Sequence, residues 1–167
     1  MSELREVGDA ALSFDGLFDI QDIYRIVDDF TRAKGYAKKE IMNKEIIGED
    51  AKDILVVFQP DKDVTEYVEK RIKIVVDAKN VKEVEVTIDG KKRKMLKGAL
   101  FFAMKAYIVT DWEGKWEDRG IYFFIRALYD KWIYRSQTKE FVADVINDMN
   151  FIKDQVRAYL NMQRERV

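Results

Sequence analysis

EVEVTIDGKKRK, residues 83–94, is the stretch of sequence that decides the fold. Up to Ile88, apolar residues alternate with charged or polar ones, which is typical of a strand with one wet face. Asp89 and Gly90 follow, and both central residues of a type I′ turn need a positive φ, which Asp and Gly tolerate. The stretch therefore predicts a β-hairpin, and with it an antiparallel sheet.

The segments on either side of this hairpin extend the sheet. Upstream, Thr65–Ala78 predicts a strand, since Val68, Ile72, Ile74 and Val76 share one parity. Downstream, beyond Gly98, Leu100–Thr110 predicts another strand, with an apolar face made of Leu100, Phe102, Met104, Ala106 and Ile108.

The N-terminal part alternates between strands and one helix. Ala11–Phe18 predicts a first strand, and Asp19 is a typical N-cap for a helix that ends at Gly35. We expect Tyr36–Ile47 to be extended. Ile54–Phe58 is a short β-branched run ended by a proline, which predicts a buried strand.

The C-terminal part predicts a loop, a strand and a long helix. Asp111–Gly120 is loop-like, and the aromatic density of Ile121–Tyr134 favours a strand antiparallel to Leu100–Thr110, with a helix as the alternative. Capping residues at 136–138 begin a helix that runs to about Arg164 and is about 40 Å long. One apolar stripe follows it: Val142, Val145, Met149, Ile152, Val156, Tyr159 and Leu160.

Composition excludes several classes of function. The chain has 30 basic and 31 acidic residues, so it has no global attraction to nucleic acid. It has neither Cys nor His, which excludes disulfides, thiol nucleophiles, His-based catalysis and the usual zinc ligands. We predict no metal and no cofactor. Its apolar runs are shorter than the roughly 20 residues of a spanning helix. We expect one cytoplasmic domain covering residues 1–167, with no integral membrane segment.

The order of the elements resembles that of a known superfamily. A strand, a helix, about six antiparallel strands and a long amphipathic C-terminal helix, over about residues 10–164, resemble the START-like helix-grip superfamily, which includes polyketide-cyclase-like proteins. The resemblance implies an α+β fold in which a curved antiparallel sheet of about six or seven strands grips the C-terminal helix. It also implies an apolar cavity between the sheet and that helix.

Three charged clusters have ordinary structural interpretations. The basic run Lys91–Lys94 with Lys97 predicts a solvated hairpin that is not a nucleic-acid site, because no aromatic side chain is interleaved for base stacking. Arg126 and Asp130 predict a structural ion pair. Four acids lack the ligand spacing of a calcium loop: Asp111, Glu113, Glu117 and Asp118.

The leading functional hypothesis follows from the resemblance. It is non-catalytic binding of an apolar or amphipathic, lipid-like small molecule between the sheet and the C-terminal helix, because the predicted inner faces carry almost no polar groups. The predicted ligand-binding residues are Phe102, Met104, Ile108, Phe123, Ile125, Val145, Met149, Ile152 and Val156. One alternative is a protein-interaction module with a filled core, and another is a cyclase- or hydrolase-like enzyme that uses Tyr and carboxylates.

Overall fold

The computed structural model describes residues 3–110, 127 and 134–165. This part of the chain is α+β, with six strands in one curved antiparallel sheet and two helices. The elements are β1 (Glu3–Phe18), α1 (Ile20–Lys34), β2 (Glu40–Ile47), β3 (Lys52–Phe58), β4 (Asp61–Asp63), β5 (Val68–Ile88), β6 (Lys91–Thr110) and α2 (Tyr134–Glu165). The sheet order is β1-β6-β5-β3-β2, with β4 paired to β5. The predicted fold class is confirmed.

The hairpin of β5 and β6 is the centre of the sheet. Its turn has positive φ at both Asp89 (52°) and Gly90 (78°), which confirms the predicted turn. Each strand is longer than the sequence predicts. Upstream of the turn, the two predicted strands form the single strand β5, and downstream of it the two predicted strands form the single strand β6. β5 has 21 residues and β6 has 20.

A β-bulge explains why the two halves of β5 were separated in the sequence-based prediction. The pairing with β6 shifts between Lys79 and Lys82, and Asn80 has a φ of 51°. The bulge packs against Gly98, where an added Cβ would lie only 2.8 Å from Cγ1 of Val81. Because Gly98 has no side chain, the bulge at Asn80 and Val81 can lie close to its backbone. Gly98 is therefore an interior residue of β6 and not a break between two strands.

The predicted pairing of Ile121–Tyr134 with Leu100–Thr110 is wrong. Over that range β6 pairs with β1 along one edge and with β5 along the other, so neither edge is open to a third strand. The segment itself lies outside the described residues, apart from Ala127 and Tyr134, both of which are helical.

Helix α1 has the predicted ends. The Asp19 carboxylate accepts a hydrogen bond from the backbone N–H of Gln21 at 2.9 Å, and Gly35 ends the helix with a φ of 73°. Ile23, Val27 and Phe30 are buried in the core. The helix therefore places its apolar side on the inner face of the sheet.

Helix α2 packs against β1, β5, β6 and α1. It begins at Tyr134, slightly before the predicted cap, and its 32 residues give a length of about 48 Å. The predicted stripe is confirmed: Val145, Met149, Ile152, Val156 and Leu160 are buried, and Val142 and Tyr159 are partly buried against them. Among the described residues, no helix is both long and apolar enough to cross a membrane.

Candidate functional site

The predicted ligand-binding residues lie together in the core beneath α2. Seven of the nine are described, and none of these is more than 2% exposed: Phe102, Met104, Ile108, Val145, Met149, Ile152 and Val156. They belong to one hydrophobic cluster shared by the sheet and both helices. Phe123 and Ile125 lie outside the described residues. In this structure the seven side chains pack against neighbours, and none of them lines the open cleft described below.

A polar cluster lies within the same core. The hydroxyl of Tyr36 donates a hydrogen bond to Oδ2 of Asp148 at 2.6 Å, and Nζ of Lys70 donates to the same oxygen at 3.2 Å. The Lys70 ammonium also lies 5.5 Å from the centroid of the Tyr36 ring. Burial, followed by the bond to Asp148, raises the pKa of Tyr36. The cluster ties α2 to β5 and to the segment after α1.

This cluster corrects the expectation that the inner faces are almost wholly aliphatic and aromatic. Lys70 has the same strand parity as Val68 and Ile72, so the alternation already placed it inside. Asp148 follows Val145 at a helical spacing of three and therefore shares its face. Both signals are present in the sequence, but a search for apolar positions alone omits them.

A cleft of about 330 Å³ opens elsewhere on the inner face, between the first turns of α1 and the sheet. Its apolar surface comes from Ile54 and Val56 of β3 and Leu96 of β6, with Ile20 of α1 beside them. These three strand residues belong to the hydrophobic core, so the cleft exposes a small part of it.

Polar side chains surround this apolar surface. The Tyr24 hydroxyl accepts a hydrogen bond from Nδ2 of Asn43 at 3.0 Å. Nζ of Lys52 lies between two carboxylates, at 2.7 Å from Glu45 and 3.2 Å from Glu83. The remaining polar lining residues are Asp19, Gln21 and Lys94. The cleft thus has an apolar floor and a polar rim.

Two of the rim groups, Tyr24 and Lys52, hold their protons firmly. Burial, with a smaller contribution from Glu40, raises the pKa of Tyr24 to about 12. The hydrogen bond to Glu45 is the main cause that raises the pKa of Lys52. At neutral pH the rim therefore offers a neutral phenol and a charged ammonium, and neither of them is a general base.

A clamp holds α1 in place at the cleft. Arg93 of β6 contacts the carboxylates of Asp19 at 2.7 Å and Asp22 at 2.9 Å. From α2, the Tyr159 hydroxyl accepts a hydrogen bond from the backbone N–H of Asp19 at 2.8 Å. The N-terminal turn of α1 is thereby fixed to both the hairpin and α2.

The predicted charged clusters have different outcomes. Within the basic run, Lys91, Lys92 and Lys94 are exposed, as the interpretation as a solvated hairpin predicts, whereas Arg93 is half-buried and joins the clamp. The pair Arg126 and Asp130, and the acids at 111–118, lie outside the described residues.

Neither the described geometry nor the comparisons assign a reaction. Within residues 3–110 and 134–165, no group of three or more acidic side chains is arranged to hold a metal ion. No protein-family model matches the chain, and no curated protein matches it significantly.

Proposed function

We propose that the chain binds an amphipathic small molecule without catalysis, in the cleft between α1 and the inner face of the sheet. One observation carries the proposal: core residues Ile54 and Leu96, which are 8% and 7% exposed, line a cleft that polar side chains surround. Ligand sites typically combine an apolar surface with a few placed polar groups, in volumes of about 300–1,000 Å³. At about 330 Å³ the cleft suits a small ligand.

The rim favours a ligand with hydrogen-bonding groups at one end. Tyr24 and Asn43 form one polar pair, and Lys52 with its two carboxylates forms another polar group. An apolar body would contact the floor while its polar end exchanges hydrogen bonds with these groups. Lys52, Glu45 and Glu83 are engaged in ion pairs with one another, which supports binding of a ligand over catalysis by these groups.

The location differs from the one that the helix-grip resemblance implies. That resemblance places a ligand between the sheet and the last helix, where seven predicted residues are at most 2% exposed. The cleft lies on the same inner face of the sheet but beneath α1. We therefore keep the proposed ligand class and move the site.

A pair of tryptophan variants on α1 tests the proposal. Gln21 is exposed and lines the cleft, whereas Arg32 is exposed further along the same helix. With a fluorescent amphipathic probe such as anilinonaphthalene sulfonate, Gln21→Trp should weaken binding at least about tenfold, equivalent to about 1.4 kcal/mol. Arg32→Trp should leave binding unchanged. Equal binding by both variants, or no binding by the unmodified chain, would contradict the proposal.

The packed core supports a second candidate function, a protein-interaction module with a filled core. Its supporting observation is a concentration of exposed apolar side chains on β2: Ile41, Met42, Ile46 and Ile47. Native mass spectrometry of protein purified from cells separates the two candidates. A co-purifying small molecule supports the cleft, and a stoichiometric protein partner supports the module.

A further inference from the structure

Strand β2 is an exposed edge of the sheet. Within the described part of the chain it pairs with β3 on one side only, and all eight of its residues are exposed. Four of the eight are large and apolar, with exposures of 52% for Ile41, 47% for Met42, 53% for Ile46 and 77% for Ile47. An edge strand of this kind offers unpaired backbone groups and apolar side chains together, which makes it a template for a further strand.

The polarity of β2 is symmetric about its centre. Residues 41–47 read IMNKEII, so two apolar residues and one polar residue lie on each side of Lys44. A two-fold axis perpendicular to a sheet pairs residue i of one copy with residue j of the other, and j with i. About Lys44, that operation places Met42 opposite the partner's Ile46, and Asn43 opposite the partner's Glu45.

The backbone hydrogen bonds agree with this register. The N–H of Gly48 donates to the carbonyl of Ala51 at 2.8 Å, so Gly48 directs its backbone groups toward β3. Successive residues of an antiparallel strand alternate in the direction of their backbone groups. The N–H and C=O of Lys44 therefore also point toward β3, whereas those of Asn43 and Glu45 point toward the open edge. Asn43 and the partner's Glu45 would therefore form a hydrogen-bonded pair, and the two Lys44 residues a narrow, non-hydrogen-bonded pair.

We propose that two copies of this chain associate through β2, which pairs antiparallel with itself about a two-fold axis at Lys44. The irregularity between Glu40 and Met42 limits the regular pairing to Met42–Ile46. Apolar pairs stabilise both ends of this segment, and an amide–carboxylate pair flanks each side of the axis. The two Lys44 ammonium groups oppose each other, which weakens the dimer. The inference does not rest on the proposed ligand, although Asn43 and Glu45 also belong to the rim of the cleft.

Single cysteine variants test the register directly, since the chain has no Cys of its own. Narrow antiparallel pairs have Cα atoms about 4.5 Å apart, within the range for a disulfide. Under mild oxidation, Lys44→Cys should form a covalent dimer in most of the protein. Asn43→Cys and Glu45→Cys are matched controls on the same strand and should cross-link far less. Equal cross-linking at all three positions, or strongest cross-linking at Asn43→Cys, would overturn the proposed register.

Sedimentation equilibrium tests the association itself. The mass of the unmodified chain should rise with concentration from 19.7 kDa toward twice that value. The double variant Met42→Lys/Ile46→Lys should remain monomeric over the same range. Leu4→Lys is the control, because Leu4 is 55% exposed on the opposite edge strand, and this variant should still dimerise. A monomer at every concentration, or a dimer that the double variant preserves, would overturn the proposal.

Discussion

The two helices cover the inner face of one sheet in different ways. Beneath α2, Met149 and Ile152 are at most 2% exposed, and a buried ion pair crosses from the helix to β5. At the first turns of α1, Ile20 and Tyr24 line an open cleft with a polar rim. Both helices carry an apolar stripe, so the stripe alone does not distinguish the tightly packed region from the open one. The difference lies in how the side chains around each helix pack.

The largest loss of stability should come from breaking the buried ion pair between Lys70 and Asp148, in the tightly packed region beneath α2. Asp148→Ala leaves Lys70 charged, buried and without its carboxylate, and such a change costs about 3–5 kcal/mol. Urea denaturation measures the loss. The triple variant Tyr36→Phe/Lys70→Met/Asp148→Leu removes the whole polar cluster and should recover most of the stability. A small loss for Asp148→Ala would mean that solvent reaches Lys70 and that this region is not closed.

The second prediction distinguishes a filled region beneath α2 from a hollow one. Met149 is 2% exposed, and its methyl carbon lies 3.4 Å from the position of a Cβ built on Gly8. Met149→Trp should therefore overpack the core and destabilise the fold by about 1–3 kcal/mol. Binding of the amphipathic probe should not change. A variant of unchanged or higher stability that no longer binds the probe would place the ligand beneath α2, as the resemblance implies.

The third prediction concerns the clamp at the open region. Arg93→Glu replaces two ion pairs on the first turn of α1 with repulsion and should destabilise the fold by on the order of 1 kcal/mol. Lys91→Glu is the control in the same basic run, and its effect on urea stability should be within about 0.5 kcal/mol. Equal losses of urea stability in the two variants would show that the ion pairs of Arg93 do not stabilise the fold.

At neutral pH Tyr24 gives the smallest effect, because its contribution to stability changes only in alkaline solution. Its pKa rises from 10.0 to about 12 on folding, so the folded state holds the proton more tightly than the unfolded state. This contribution to stability is complete below pH 10 and is lost as the pH rises toward 12. Between these values the unmodified chain should lose stability faster than Tyr24→Phe. Parallel stability curves for the two proteins would mean that the Tyr24 hydroxyl is freely solvated.

Local chemistry made much of the fold predictable from the sequence. The Asp-Gly turn, the Asp19 cap and the Gly35 stop each depend on backbone preferences of one or two residues, and all three are confirmed. The stripe of α2 was predictable because helical spacing fixes which residues share a face. The continuity of β5 was not, since a bulge that depends on Gly98 interrupts the alternation.

The site was less predictable because it depends on which elements become neighbours. The cleft joins residues from α1, β2, β3, β5 and β6, and no local pattern reports that convergence. Strand pairing had the same limitation: β1 takes the edge of β6 that the sequence-based prediction gave to Ile121–Tyr134. Whether a stripe of apolar residues encloses a space depends on side-chain packing, which periodicity does not encode.

One measurement compares the two regions most directly, a titration followed by NMR of isotope-labelled Ile, Leu and Val methyl groups. The methyls of Ile54, Val56 and Leu96 report on the cleft, and those of Ile108, Val145 and Ile152 report on the core beneath α2. With an amphipathic probe, we predict saturable shifts in the first group and little change in the second. Shifts concentrated at Ile108, Val145 and Ile152 would contradict the proposal that the ligand binds beneath α1.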